Sequence, residues 1–357
     1  MSDWPDFDPS TSNCRQNYSF FTTSDFMIYS YHLSAIINIP LSILTFYLIS
    51  AKTPTAMRKM KPALIFAQIW YTSAFFLDQS SMFSSTNLDL ICNVLSCPYA
   101  FFPTASGVTL GILSKLGMGF KWQGYWGQVA IALNGVAFVM LYENRQSQIT
   151  TINWKITKES TRRVYCIVLI VLAFMSMLPF YIEDFDQLEL RKIVLARIPC
   201  PTIEFFNANT YVVLKGGEAA PFYSMSLVMC YVVFQSFFFG IQSIFHVIIV
   251  PNANLSRATK KLQRKFLGCV TLQITIPMMV LVFPSSYSLY ADKYNYYNQA
   301  YNNFALLAFG CHGFLATTTT LMIYKPYRDV VFAPFRGKVE VAPSSVIEPT
   351  RDMSVVD

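Results

Sequence analysis

Charge is the scarcest commodity in this sequence. Asp, Glu, Lys and Arg make up 13% of its 357 residues, against about 25% in ordinary soluble domains. Across seven apolar stretches, at about 26–50, 62–85, 122–142, 164–182, 219–250, 266–291 and 294–324, Asp78 is the single charged residue. Stretches of that length and polarity exclude a soluble domain and predict membrane-spanning helices. The 8 cysteines include no CxxC, and neither they nor the 3 histidines show metal-ligand spacing, so no metal site and no cofactor are expected. No Ser/His pair or pair of membrane aspartates is present, which argues against an enzyme. The first 25 residues hold Asp3, Asp6, Asp8 and Asp25 against Arg15 alone. That is the reverse of a secretory leader, so the first span is expected to insert uncleaved.

What is abundant is apolar and aromatic: 54% of the chain is hydrophobic, with 31 Phe and 21 Tyr. The expected fold class is therefore an all-α integral membrane protein, a seven-transmembrane helical bundle. Its orientation follows from the basic residues. Lys52, Arg58, Lys59 and Lys61 follow the first span; Arg145, Lys155, Lys158, Arg162 and Arg163 follow the third. Arg257, Lys260, Lys261, Arg264 and Lys265 follow the fifth, and Lys325, Arg328, Arg336, Lys338 and Arg351 follow the seventh. Basic loops stay in the cytoplasm, which puts the N-terminus outside and the C-terminus inside. The net charge of +7 thus marks the ends of spans and does not indicate nucleic acid; anionic lipid headgroups are the expected contact.

The organisation that results is an external N-terminus over 1–25, the bundle over 26–324, a short interfacial helix over 325–337 and a disordered tail over 338–357. The interfacial helix is read from Val330, Val331, Phe332 and Phe335 alternating with basic residues. The segment Pro98 to Ser114 has no charge but carries Pro98, Pro103, Gly107 and Gly111. It is read as an external or re-entrant stretch, because an eighth span there would place the later basic loops outside. Asn17-Tyr18-Ser19 is a glycosylation sequon on the outer side, whereas Asn254-Leu255-Ser256 falls in a cytoplasmic loop.

The third span ends in LYENRQ, with Glu143 and Arg145 where rhodopsin-like receptors carry an acid followed by an arginine. Such a pair can hold one state by bonding and open a partner site on release; a membrane-edge arginine that snorkels fits the spacing equally. Taken together, KTPTAM at 52–57, CPYAFFPTASGVTLGILSKLG at 97–117, ENR at 143–145, IPCP at 198–201 and HGFLATTTTLMIYKPYRD at 312–329 resemble the nematode serpentine chemoreceptors. The similarity is to class H (Srh-type), with class I as the nearest competitor. That resemblance implies a G-protein-coupled chemosensory receptor of the plasma membrane, with the ciliary membrane of sensory neurons as its expected place. It implies a small-molecule or peptide ligand and a heterotrimeric G protein as partner. Within it, Arg145 is the G-protein switch, Glu143 its restraint, and Cys97 or Cys92 with Cys200 the outer disulfide, Cys97 being preferred. The chain lacks the Asp-Arg-Tyr, Cys-Trp-x-Pro and Asn-Pro-x-x-Tyr signatures of rhodopsin-like receptors.

Asp78 needs a reason to be in the membrane, since an intramembrane carboxylate costs at least about 2.5 kcal/mol. It resembles the helix-two aspartate of rhodopsin-like receptors and is read as an internal polar relay, or as a structural hydrogen-bonded carboxyl. A multi-pass transporter or channel using Asp78 is the rival function; it would require further buried charges or an internal repeat, and neither is found. The tyrosine-rich stretch between spans six and seven makes Tyr287, Tyr290 and Tyr294 candidates for a ligand pocket, although tyrosines also belong to the interfacial belt. The topology has a direct test. Asn17→Gln should remove a glycan-dependent mobility shift that a change at Asn254 leaves intact; a glycan on Asn254 would reverse the assignment of sides.

Overall fold

In a computed structural model of the chain, the residues described are 19–53, 61, 64–65, 91–182, 186–198, 200–214, 218–250 and 256–333. All of the expected second span but residues 64–65, including Asp78, lies outside the described residues, as do the sequons at Asn17 and Asn254, Cys14 and the expected tail over 338–357. The described elements begin with α1 (Ser24–Lys52), β1 (Pro98–Ala100), β2 (Ala105–Thr109), α2 (Ile112–Lys115) and α3 (Phe120–Ser147). They continue with α4 (Glu159–Met175), α5 (Leu178–Ile182), α6 (Gln187–Arg197), β3 (Tyr211–Leu214) and α7 (Ala219–Ile248). The last are α8 (Arg257–Tyr294), α9 (Gln299–Ile323) and α10 (Lys325–Phe332). Six of the described helical segments are long and apolar enough to cross a membrane, α4 and α5 counting as one.

Local chemistry starts and stops these helices. The Thr23 hydroxyl accepts from Phe26 N at the head of α1, Ser256 from Thr259 N at α8, and Asn298 from Tyr301 N at α9. Each satisfies a donor that the first turn leaves open. Asn295, at φ 51°, closes α8 in the left-handed conformation that ends many helices. At 38 residues α8 is about 57 Å long at ~1.5 Å per residue, far more than a hydrocarbon core of about 30 Å needs. Its excess lies at the basic end. The sequence RATKKLQRK, expected as loop, is its first turns, because Ser256 caps it and Ala, Lys, Leu, Gln and Arg all favour helix.

The bundle buries polar side chains within an apolar core and carries an apolar belt outside. Asn134, Gln273, Thr317 and Thr320 are 1% exposed or less, whereas Ile36 is 72% and Phe283 76% exposed. A soluble protein would expose no such belt; in a bilayer the outward Ile, Phe and Val side chains are already in apolar solvent. α8 packs along α9, α3 along α7, and α1 along α9.

The all-α expectation is modified at one end, where β1, β2 and β3 form an antiparallel sheet in that order. Tyr99 pairs with Val108 and Ala100 with Gly107; Ser106 pairs with Val212 across an irregularity at Ala105 and Ser106. This is the charge-free segment that the sequence left between an external and a re-entrant reading. Its prolines and Gly107 stop a helix, and Val108, Thr109, Val212 and Val213 suit strands.

The first turns of α9 hold the sheet. Gln299 Nε2 donates to Ala100 O (3.1 Å), Asn302 Nδ2 to Phe102 O (3.1 Å) and Asn303 Nδ2 to Phe21 O (2.8 Å). The Tyr99 hydroxyl bonds Thr22 O and Thr202 Oγ1, so one buried phenol joins the N-terminal segment, the hairpin and the loop before β3. Burial, reinforced by the nearby Glu204 carboxylate, pushes that phenol above its ordinary range and keeps its proton on. Glu204 in turn accepts from Ser24 N (3.1 Å) at the start of α1.

Gly107 permits the close approach of sheet and bundle. A Cβ there would meet Tyr99 O at 2.5 Å and the Phe120 ring at 2.7 Å. Gly107→Ala should therefore lower the thermal midpoint of the purified protein, by an overpacking cost of about 1–3 kcal/mol. An unchanged midpoint would show that the sheet does not rest on α3.

Candidate functional site

Beneath the sheet lies a cavity of about 210 Å³ bounded by the hairpin, α3, α5, β3, α7, α8 and α9. A second space of about 90 Å³ continues toward the middle of the bundle, sharing Gln128, Ile131, Met177 and Met225 with the first. Phe102, Phe120, Phe222 and Phe309 give the larger cavity an aromatic wall. On α3 the wall is opened by Gly127, where nothing lies within 4 Å of the place a Cβ would occupy.

Polar side chains, Gln128 and Tyr181 among them, interrupt this wall. Gln123, 3% exposed, donates its amide nitrogen to Met118 O (2.6 Å) and to Thr109 Oγ1 (3.1 Å). A backbone carbonyl can only accept, so this contact fixes which end of the amide is nitrogen. Its Oε1 has no hydrogen-bond partner among the described residues. Glu218, the residue before α7, and Asp292, in the last turn of α8, also line the cavity. Ser288 lies one turn before Asp292 on the same face and spends its proton on Ser285 O (2.8 Å).

The tyrosines expected to form a pocket lie outside the wall of this cavity. Tyr287 donates to Asn302 Oδ1 at 2.7 Å, and Tyr290 and Tyr294 pack against each other while 53% and 62% exposed. None of the three lines the cavity. Helical geometry gives the reason: Ser288 and Asp292 are four residues apart and share the inward face of α8, which turns Tyr287, Tyr290 and Tyr294 elsewhere.

At the opposite end, α3 is the hub. Arg145, 5% exposed, donates Nη2 to Gln263 O on α8 at 3.0 Å. Glu143, 2% exposed, accepts from Arg162 Nε on α4 at 2.9 Å, and Arg162 Nη2 also reaches Ile156 O. Gln146 bonds Gln242 on α7 and, at 3.3 Å, Trp154 O. The expected restraint of Arg145 by Glu143 is therefore replaced. Residues two apart on a helix point about 200° apart and cannot pair, so the acid ties α3 to α4 and the arginine ties α3 to α8. The arginine's partner is a carbonyl with no residue-type signature, which is why the sequence did not reveal it.

Farther along, Tyr324 OH donates to Gln273 Oε1 (2.7 Å) and Gln273 Nε2 to Thr320 Oγ1 (3.1 Å), joining α8 to the end of α9. Thr53 after α1 bonds Tyr327 of α10 at 2.9 Å. Thus α8 contacts α3 near its basic end, α9 in its middle, and the cavity at its other end.

The expected Cys97–Cys200 bridge is corrected as well. Cys200 is disulfide-bonded, but Cys97, Cys166, Cys230, Cys269 and Cys311 are in no disulfide. Cys97 is buried and directs its Sγ to Asn93 O at 3.3 Å, within the turn that precedes β1. Burial raises the thiol to about 11 despite the opposing charge of Lys115. The remaining cysteines, Cys14 and Cys92, have side chains outside those described.

Comparison with known proteins agrees with this architecture. Residues 22–337 match the family described as serpentine type 7TM GPCR chemoreceptor Srh. The chain is also similar to serpentine receptor class H-72 of Caenorhabditis elegans, with 23% identity over 350 residues that cover 96% of this chain and 94% of that one.

The cysteine assignment has a clear readout. Cys97→Ser should leave the reduction-sensitive mobility of the protein unchanged while Cys200→Ser abolishes it. At pH 8 the native Cys97 should resist alkylation, because its thiol stays protonated until pH approaches about 11. Loss of the bridge in Cys97→Ser would restore the original pairing.

Proposed function

Because the chain belongs to the Srh family of serpentine seven-transmembrane chemoreceptors, we propose that it binds an external chemical cue and activates a heterotrimeric G protein. In this reading the sheet-capped end faces outward and the basic end faces the cytoplasm, as the distribution of Lys and Arg favours. The receptor occupies the plasma membrane, and the ciliary membrane of sensory neurons is its place by family. Asp78 acts as an internal polar relay in the span that precedes the hairpin.

The observation that carries the mechanism is the Arg145 to Gln263 O contact, 3.0 Å, at the end of the bundle remote from the cavity. It fastens the basic end of α8 to α3, so the inner face is closed while the contact lasts. Ligand in the cavity touches α8 through Ser288 and Asp292 and touches α3 through Gln123. A ligand that binds more tightly when the two helices are rearranged shifts the population toward that arrangement, and only to the extent of that difference. Arg145, released from Gln263 O, then becomes a donor for the G protein, while Glu143 keeps α4 in register through Arg162.

Arg145→Ala is the test. Second-messenger output to an activating cue should fall by more than about tenfold, within the usual range of coupling energies, with surface expression preserved. Undiminished output at equal surface level would remove Arg145 from the mechanism. Glu143→Gln should instead lower thermal stability, since it takes the negative charge from a buried partner of Arg162.

A further inference from the structure

The cavity under the sheet and the smaller space that continues from it form one cleft along α3. We infer that this cleft takes an elongated molecule with an uncharged, apolar inner end, and that Gly127 and Ala132 set the girth and length it accepts. This deepens the receptor reading and rests on it for the cleft's role.

Shape comes first. The outer cavity of about 210 Å³ and the inner space of about 90 Å³ together hold about ten groups of water size, at about 30 Å³ each. Along α3 they are lined from Phe120 to Phe138, a rise of about 27 Å at ~1.5 Å per residue. So few groups spread along so long a wall suit a chain better than a compact polycycle. The junction of the two spaces is formed by Gln128, Ile131, Met177 and Met225. Methionine is unbranched and adaptable, so a chain can pass between these side chains where a rigid body meets them all at once.

Charge comes second. No Asp, Glu, Lys, Arg or His lines the inner space among the described residues. Its two serines give their protons to carbonyls one turn earlier, Ser176 to Ala173 O (3.2 Å) and Ser285 to Leu281 O (2.8 Å). A charge placed there loses its hydration and gains no countercharge. Gln128 lies at the junction, and Ser96, Thr109, Tyr181, Glu218 and Asp292 line the outer cavity. The polar end of the molecule therefore belongs outside the junction and the apolar end within it.

Girth and length come third. Glycine inside a helix costs stability relative to alanine, and Gly127 has neither of the usual reasons for that cost. Its φ is not positive, and no described atom lies within 4 Å of the place a Cβ would occupy. Gly135, by contrast, serves packing, since a Cβ there would meet Val232 Cγ1 at 2.8 Å. What Gly127 provides is room in the outer cavity. Ala132 lines the inner space, so a larger side chain at that position shortens the cleft.

The experiment reads thermal midpoint shifts of the purified full-length chain in nanodiscs of fixed lipid composition, and needs no G protein. The probes are straight-chain 1-alkanols from butanol to tetradecanol, with 1-adamantanol and octanedioate beside them. Stabilisation should rise to an optimum near decanol and then fall, whereas partition into the bilayer rises steadily and has no optimum. 1-Adamantanol has decanol's carbon count in a compact body, and octanedioate cannot extend without placing a carboxylate in the inner space. Each should bind at least about tenfold more weakly than the best alkanol. Gly127→Ala should raise the midpoint of the unliganded protein while weakening decanol, a pair of signs that a merely structural glycine would not give. Gly127→Leu should weaken decanol by at least about tenfold, and Ala132→Leu should move the optimum to shorter chains. The alkanol series decides the matter even where a leucine variant does not fold. The inference is overturned if stabilisation has no optimum, if 1-adamantanol or octanedioate equals decanol, if the Gly127 variants leave the series unchanged, or if no probe shifts the midpoint. Alkanol binding without second-messenger output would overturn the receptor mechanism and leave this inference standing; output to other cues without alkanol binding would do the reverse.

Discussion

The absence of water around the middle of this molecule is the constraint from which its structure follows. Every backbone N–H and C=O that crosses hydrocarbon must be satisfied within its own segment, and a helix does this without help from neighbours. Side chains are then sorted by the same solvent. Ile36 and Phe283 face out, while Asn134, Gln273 and Thr320 face in, where Asn134 bonds the Ala130 carbonyl and Gln273 bonds Thr320 in place of water. A strand leaves half its ladder unmet, so strands are confined to the end of the bundle. There β1, β2 and β3 satisfy one another, and α9 side chains satisfy carbonyls at the hairpin's turn.

This sorting leaves few polar contacts, and those few determine how the helices relate. α3 contributes to both ends: Gln123 at the cavity, and Glu143, Arg145 and Gln146 at the basic face. α8 does likewise, with Asp292 and Ser288 at the cavity and the Gln263 carbonyl at the other end. Two rigid helices bonded at one end and lining one cavity at the other form a mechanical link, because a packed bundle moves by repacking of whole elements more readily than by local deformation. The carbonyl of Gln263 as acceptor means that the link senses the position of the α8 backbone itself.

The helical bundle was legible because it rests on composition: runs of 18 or more apolar residues are a sufficient signal for a membrane helix. The sheet was only half legible. Pro98, Pro103 and Gly107 announced that the segment between the second and third spans was not a helix, but β3 lies about a hundred residues downstream and carried no mark of its partner. The site was legible in residue type and less so in pairing. Glu143 and Arg145 stood out as an acid and a base at a helix end, yet their partners are Arg162 and a carbonyl. The tyrosines drew attention by abundance, while Gln123, Glu218 and Asp292, isolated polar residues at the ends of apolar spans, were the quieter signal that marked the cavity.

The sequence by itself determined the solvent in which this protein folds, the helical class of its bundle and its family, since each depends on composition, local runs or short ordered motifs. Tertiary structure alone decided that Cys97 is a buried thiol outside any disulfide, that Arg145 answers to α8 and not to Glu143, and that a cavity lies beneath a sheet. The physical reason is range. Apolar transfer is summed residue by residue along the chain, but a hydrogen bond depends on direction and on distances of a few ångströms between residues as far apart as 145 and 263, which only packing brings together.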